Sequence, residues 1–346
     1  MKRIVMIFLL CLLFMTPVRA LDLEAPEVPD SAESLMPREP QNLKEGILQI
    51  LKNAITLLRP DMKEASRVCL SIMAVVMNVS LLRMFPGKID RCADLVGAIG
   101  VSVLLLTSAG SMINLAVANI REISEYGKLL LPVLAAAMAA QGGITTSSAL
   151  YAGTALFDGV LSGLISGILT PLIYLFFALS IAVAAVGDEL LKKLRDLLKW
   201  FMTWSLKTLL YIYTGFISIT GVVSGPTDAA ALKATKLTIS GVVPVVGGIL
   251  SDASEAVLVS AGTVKNAIGV YGLFAVAAIW LEPFVMIGCH YLLLRLTGAV
   301  CSIFGSKSVT ELIHDFGTGM GILLGMTGAV SLMILISTVC FMRGVG

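Results

Sequence analysis

The residues of this sequence that could carry chemistry are few, and all lie in apolar surroundings. Asp158, Asp252, Glu255, Glu282 and His290 interrupt stretches that are otherwise uncharged. An ionisable side chain is costly to hold in hydrocarbon, so those that persist mark ion or proton routes, or tie helices together by hydrogen bonds. Glu282 stands beside Pro283 in mid-stretch, and His290 follows eight residues later, about two helical turns on, so that one helix face could present both. A hydrogen-bonded pair that only joins helices accounts for the same two residues. A second constellation is the backbone of residues 241–252, with Pro244, Gly247, Gly248 and Asp252. Proline removes an amide donor and glycine permits positive φ, so a re-entrant segment here could turn carbonyls and amides toward a polar route. A kinked helix packed closely through small residues fits the same sequence.

Enzymatic chemistry finds little support. There is no HExxH, phosphate-binding loop, GxSxG or dinucleotide glycine pattern, and two histidines offer little for acid and base work. We therefore expect no enzyme, no metal and no cofactor. The six cysteines lack CxxC spacing; Cys11 falls in the leader, and Cys69, Cys92, Cys289, Cys301 and Cys340 read as small apolar residues in or beside apolar segments.

The elements that must position these residues follow from composition. With 57% hydrophobic and 14% charged residues and a mean hydropathy of +0.92, the chain reads as an all-α polytopic membrane protein of about six to eight membrane helices. The net charge is only +2 and its bases are scattered, so no stripe exists to neutralise phosphates and nucleic acid is excluded as a partner. Lys2 and Arg3 precede an eleven-residue apolar run and then Pro17-Val18-Arg19-Ala20, the pattern of a signal peptide over 1–20. The segment 21–64 is then exported. Its first part, 21–41, carries six acids against one base and four prolines, and reads as an extended, mobile linker. From Asn42 to Leu58 apolar residues recur at helical spacing, giving an amphipathic helix that lies on the bilayer, caps its own bundle or docks a partner.

Uncharged stretches at 68–82, 95–120, 129–157, 159–187, 208–227 and 316–342 are the candidate spans. Pro132 and Pro244 stand 112 residues apart, as do Pro171 and Pro283, which points to two repeats within membrane halves 65–203 and 204–346. Lysine and arginine collect on the cytoplasmic side, and five bases lie between Lys192 and Lys207. Keeping them inside requires 129–150 and 237–262 to be re-entrant hairpins, giving six spans plus two hairpins rather than eight plain spans. Residues 188–204, leucine-rich on one face and ending in Trp200 and Trp204, read as a helix lying in the interface.

The stretch from Val243 to Asp252 and the run Lys265-Asn266-Ala267-Ile268-Gly269-Val270, with the leader and acidic linker, resemble the stage III sporulation protein AE family of endospore-forming bacteria. The resemblance implies a multi-pass protein of the mother cell, in the outer forespore membrane with its N-terminus outside. It implies a subunit of a channel or export-like assembly needed for late forespore development. Its partners would be other products of the same operon, among them a cytoplasmic ATPase and ring proteins of the intermembrane space, with a forespore channel partner and the lipid bilayer. No catalytic residue is carried over. The alternative is a stand-alone secondary transporter or permease of a small solute, built on the same repeats and midplane acids.

Overall fold

The computed structural model describes residues 24–37, 43–57, 59–83, 90–242 and 247–343, with backbone alone over 221–242 and 247–261. Pro244 lies outside the described residues. The described chain forms α1 (Asp30–Glu33), α2 (Leu43–Leu57), α3 (Arg59–Arg83), α4 (Asp90–Ala140), α5 (Ile144–Leu164), a π-helical turn (Ile165–Leu169), α6 (Thr170–Val186), α7 (Glu189–Val242), α8 (Gly247–Phe304) and α9 (Lys307–Arg343). It is all-α, as expected. Among the described residues five helical stretches are long and apolar enough to cross a membrane: Met62–Leu82, Ala93–Ala140, Ile144–Val186, Gly262–Phe304 and Lys307–Arg343.

The breaks between helices have local causes. Gly142, at φ 94°, reverses the chain after α4, and the Gly143 amide donates to the Met138 carbonyl over 3.2 Å. The segment 129–150 therefore folds back on itself, but as the adjoining ends of α4 and α5 rather than as a separate hairpin, and 129–157 is not one helix. Pro171 cannot donate to the carbonyl of Gly167 and its ring crowds that carbonyl, which accounts for the wider π-turn just before it. Gly187, at φ 75°, ends α6; the Asp188 carboxylate then accepts the Leu190 amide at 2.7 Å and caps α7.

Other expectations need correction. Residues 24–37 do not extend away as a mobile linker. Ala32 and Leu35 are buried, and Ala25, Val28 and Met36 pack against the same core, while the Ser31 hydroxyl donates to Glu122 on α4. The apolar residues 25, 28, 32 and 35 recur every three or four positions and give this acidic stretch one adhesive face. The amphipathic helix forms where expected and caps its own bundle: Gly46, Ile50 and Ala54 turn inward, and a Cβ on Gly46 would meet the Phe274 ring at 2.4 Å. The helix read over 188–204 is not a separate element, because α7 runs unbroken from Glu189 to Val242. The 112-residue spacing of prolines is not matched by local structure either: Pro171 opens α6 after the π-turn, whereas its counterpart Pro283 lies inside α8.

The core is built around α9. In its apolar window 67% of residues are buried, against 28% in the window of α3. Phe316 of α9 stacks on Phe177 of α6 at 4.4 Å between ring centroids, and α4, α5, α7 and α8 close around the remaining faces.

Candidate functional site

At one level of the bundle four helices bring polar side chains into the core. Asp158 of α5, 3% exposed, accepts a hydrogen bond from Ser124 of α4 at 3.0 Å. One turn earlier on α5, Thr154 lies 2.9 Å from Ser337 of α9. Ser337 in turn meets the Tyr213 hydroxyl of α7, which donates to the Met333 carbonyl at 3.1 Å. Each hydroxyl has one proton to give, so the chain of donation runs Thr154 to Ser337 to Tyr213 to Met333 O. Tyr213 is held edge-on by Phe157 at 5.4 Å. The Lys128 charge acts on Asp158 from one turn beyond Ser124. Such a cluster binds four helices together and holds a carboxylate in the core by hydrogen bonding.

A second polar junction joins α4 to α8. Pro283 lacks the amide that would bond the Ile279 carbonyl. Asn119, buried on α4, donates its Nδ2 to that carbonyl at 2.7 Å instead. The proline within α8 is thus satisfied from a neighbouring helix.

Comparison with known proteins decides the lineage. A profile of the stage III sporulation protein AE family matches residues 33–344. The chain belongs to that family. Stage III sporulation protein AE of Bacillus subtilis (strain 168) is 26% identical over 271 residues, covering 78% of this chain and 68% of that protein. No solved structure matches. As a stage III sporulation protein AE family member, the chain is a sporulation protein, and its apolar helices associate it with a membrane.

Among the residues chosen from the sequence whose side chains are described, one joins the central cluster of this family member. Asp158 does. His290 bonds instead to the Met286 carbonyl of its own helix at 3.0 Å, and Glu282 is half-buried with an interaction of its own. Gly247, Gly248, Asp252 and Glu255 lie in the helical first turns of α8. The irregular backbone expected over 241–252 is thus absent from 241–242 and 247–252, which are helical, and residues 243–246 lie outside the described residues. Ser124, Thr154, Tyr213 and Ser337 carried no signal in the sequence, since hydroxyl residues recur along every apolar stretch. Among the described residues no group of three metal-ligating side chains occurs, and Cys69 and Cys301 are buried thiols.

A third polar region lies at the far end of the bundle, at the α6–α7 turn. Arg195 of α7 donates to Asp315 of α9 at 2.5 Å and to its neighbour Asp196 at 3.0 Å. Burial opposes the charge on Arg195, but the Asp315 and Asp196 carboxylates outweigh it and hold the guanidinium above its ordinary value. The pair borders a cavity of about 150 Å³ that also exposes Asp188, Glu189, Lys192, Lys307 and Glu311. Nearby, Arg295 of α8 donates to the His314 ring, 2.8 Å from Nε2.

Proposed function

We propose that this protein is an integral subunit of a channel or export-like assembly that joins mother cell and forespore, seated in the outer forespore membrane and needed for late forespore development. Family membership supports the setting, and one geometric observation carries the role. α4, α7 and α8 have 51, 54 and 58 residues, contours of about 75 to 90 Å at roughly 1.5 Å per residue. A bilayer core of about 30 Å needs about 20 residues. A carrier confined to the bilayer has no use for the excess, whereas a subunit reaching into the space between two membranes does.

Orientation follows from which groups share a level. The exported segment bonds through Ser31 to Glu122, beside the exposed pair Arg121 and Glu125. Arg195, Arg295 and Lys307 lie toward the opposite end, which the positive-inside rule makes cytoplasmic. The apolar tip of α4 and α5 then lies past the Arg121–Lys128 belt on the exported side. Ring proteins of the intermembrane space and the forespore channel partner would meet it there, and the cytoplasmic ATPase would meet the opposite end. The reading assigns the chain no catalysis, and the Asp158 cluster serves as a polar station on or beside the route.

The test is purification of the tagged chain from sporulating cells, with identification of what comes with it. The operon's ATPase and ring proteins should be recovered together, and a cysteine at Lys193 should resist impermeant reagents added outside. Recovery of the chain alone, with normal late forespore gene expression in its absence, would overturn the proposal in favour of a separate transporter.

A further inference from the structure

The first turns of α7 present a basic and aromatic face that the central cluster does not use. Trp200 and Trp204 are exposed and stacked on each other, their ring centroids 5.8 Å apart and 16° from coplanar. They border an open cavity of about 560 Å³, lined by Asp196, Lys199, Trp200, Thr203, Trp204 and Lys207. Asp196 is already committed to Arg195. Lys199 and Lys207 have no ion pair among the described residues, and both are exposed. The charge of Lys199 also acts on His314, as do those of Arg295 and Arg195, with Glu311 as the opposing acid. Arg295 lies over the Tyr291 ring at 5.3 Å, and its Nε is buried with no hydrogen-bond partner among the described residues. Positive charge is therefore in excess at this end of the groove.

Beside that charge α9, otherwise the most enclosed of the apolar helices, opens to the outside. Gly325 is exposed and Gly321 half-buried. A Cβ at Gly321 would meet Tyr291 of α8 at 3.3 Å, and one at Gly325 would meet Leu206 of α7 at 3.8 Å. α7 and α8 thus flank an apolar strip of α9 floored by glycines, which begins one turn beyond the Arg295 contact at Gly317 and reaches the level of Leu206, beside Lys207. Indole rings favour the headgroup level of a bilayer, and lysines just inside the cytoplasmic face attract anionic headgroups.

From this arrangement we propose that the protein holds an anionic phospholipid, its phosphate between Lys199, Lys207 and Arg295, its glycerol edge on Trp200 and Trp204, and an acyl chain along the strip over Gly321 and Gly325. The site selects charge, because a zwitterionic headgroup would bring a second positive group against the lysines. It fixes α7 against α8 and α9 from outside the protein.

The experiment uses the full chain, purified into nanodiscs of mixed phosphatidylglycerol and phosphatidylcholine and released for native mass spectrometry. Wild type should retain one phosphatidylglycerol in preference to phosphatidylcholine. The preference should fall about fivefold for each lysine lost in Lys199→Gln and Lys207→Gln. Both positions are exposed, so folding is not at risk, and Lys193→Gln, exposed on the same helix outside the cavity, should change nothing. Gly325→Leu should weaken retention by covering the strip while leaving the charges in place. Equal retention of the two lipids by wild type, or an undiminished preference in the double lysine variant, would overturn the proposal. Displacement of the lipid by millimolar inorganic phosphate would overturn it too, by showing a site for the free anion.

Discussion

The two ends of the buried polar system solve the same problem by different means. At the α6–α7 turn a full charge, Arg195, has a side chain only 7% exposed, and it is tolerated because Asp315 and Asp196 oppose it directly. At the level of Asp158 the work is done by neutral hydroxyls: Thr154, Ser337 and Tyr213 pass protons along one chain, while Ser124 donates separately to the one carboxylate. Charge pairing is strong but brittle, since loss of either partner strands the other. A hydroxyl chain is weaker per bond and can rearrange, because each member both gives and accepts. The contrast places rigidity at the end with the bases and adaptability in the interior, where a polar route would need it.

That contrast can be broken from its strongest element downward. Asp315→Asn removes the principal counter-charge of a buried guanidinium, and should lower stability by about 3 kcal/mol or more, read as a fall in the thermal midpoint of the purified protein. Gly319→Ala should cost about 1 to 3 kcal/mol by overpacking, because its Cβ would meet the Phe177 ring at 2.2 Å, in the stack with Phe316. Ser337→Ala should cost about 1 to 2 kcal/mol, and combining it with Tyr213→Phe should cost less than the sum, since both act on one chain of bonds. Additive losses there would dissolve the cluster into separate contacts. Asp158→Asn should leave the fold in place, as the amide still accepts from Ser124, yet reduce late forespore gene expression. Full activity would confine Asp158 to packing. The smallest effect belongs to Gly328→Ala, where nothing lies within 4 Å of the added Cβ: a gain of up to about 1 kcal/mol from helix propensity is expected.

Legibility in the sequence followed the scale of the physical signal. The all-helical membrane class came from hydropathy summed over hundreds of residues, and α2 came from a repeated apolar period. The reversal expected within 129–150 falls at Gly142, because positive φ is a local property of the chain. The acidic segment 24–37 was misread because net charge and prolines outweighed four apolar residues whose common face has meaning only when α4 and α8 are beside it. Pro283 was read as a repeat marker beside Glu282, but its consequence lay elsewhere, in the Ile279 carbonyl and the Asn119 side chain 160 residues away. Glu282 and His290 shared a helix without forming a pair with each other, since spacing sets a face and not a partner.

What the sequence determined by itself, then, is what local and summed terms can determine: solvent class, helical periodicity, a chain reversal and the family. What only the tertiary structure decided is which polar residues meet. Ser and Thr are scattered along nearly every helix, and their hydroxyls in an apolar stretch can bond back to the preceding turn, as Ser331 and Thr338 do. Whether it instead reaches across to another helix, as Thr154 and Ser337 do, depends on the register of helices nearly two hundred residues apart, which packing of large side chains sets and no local rule encodes.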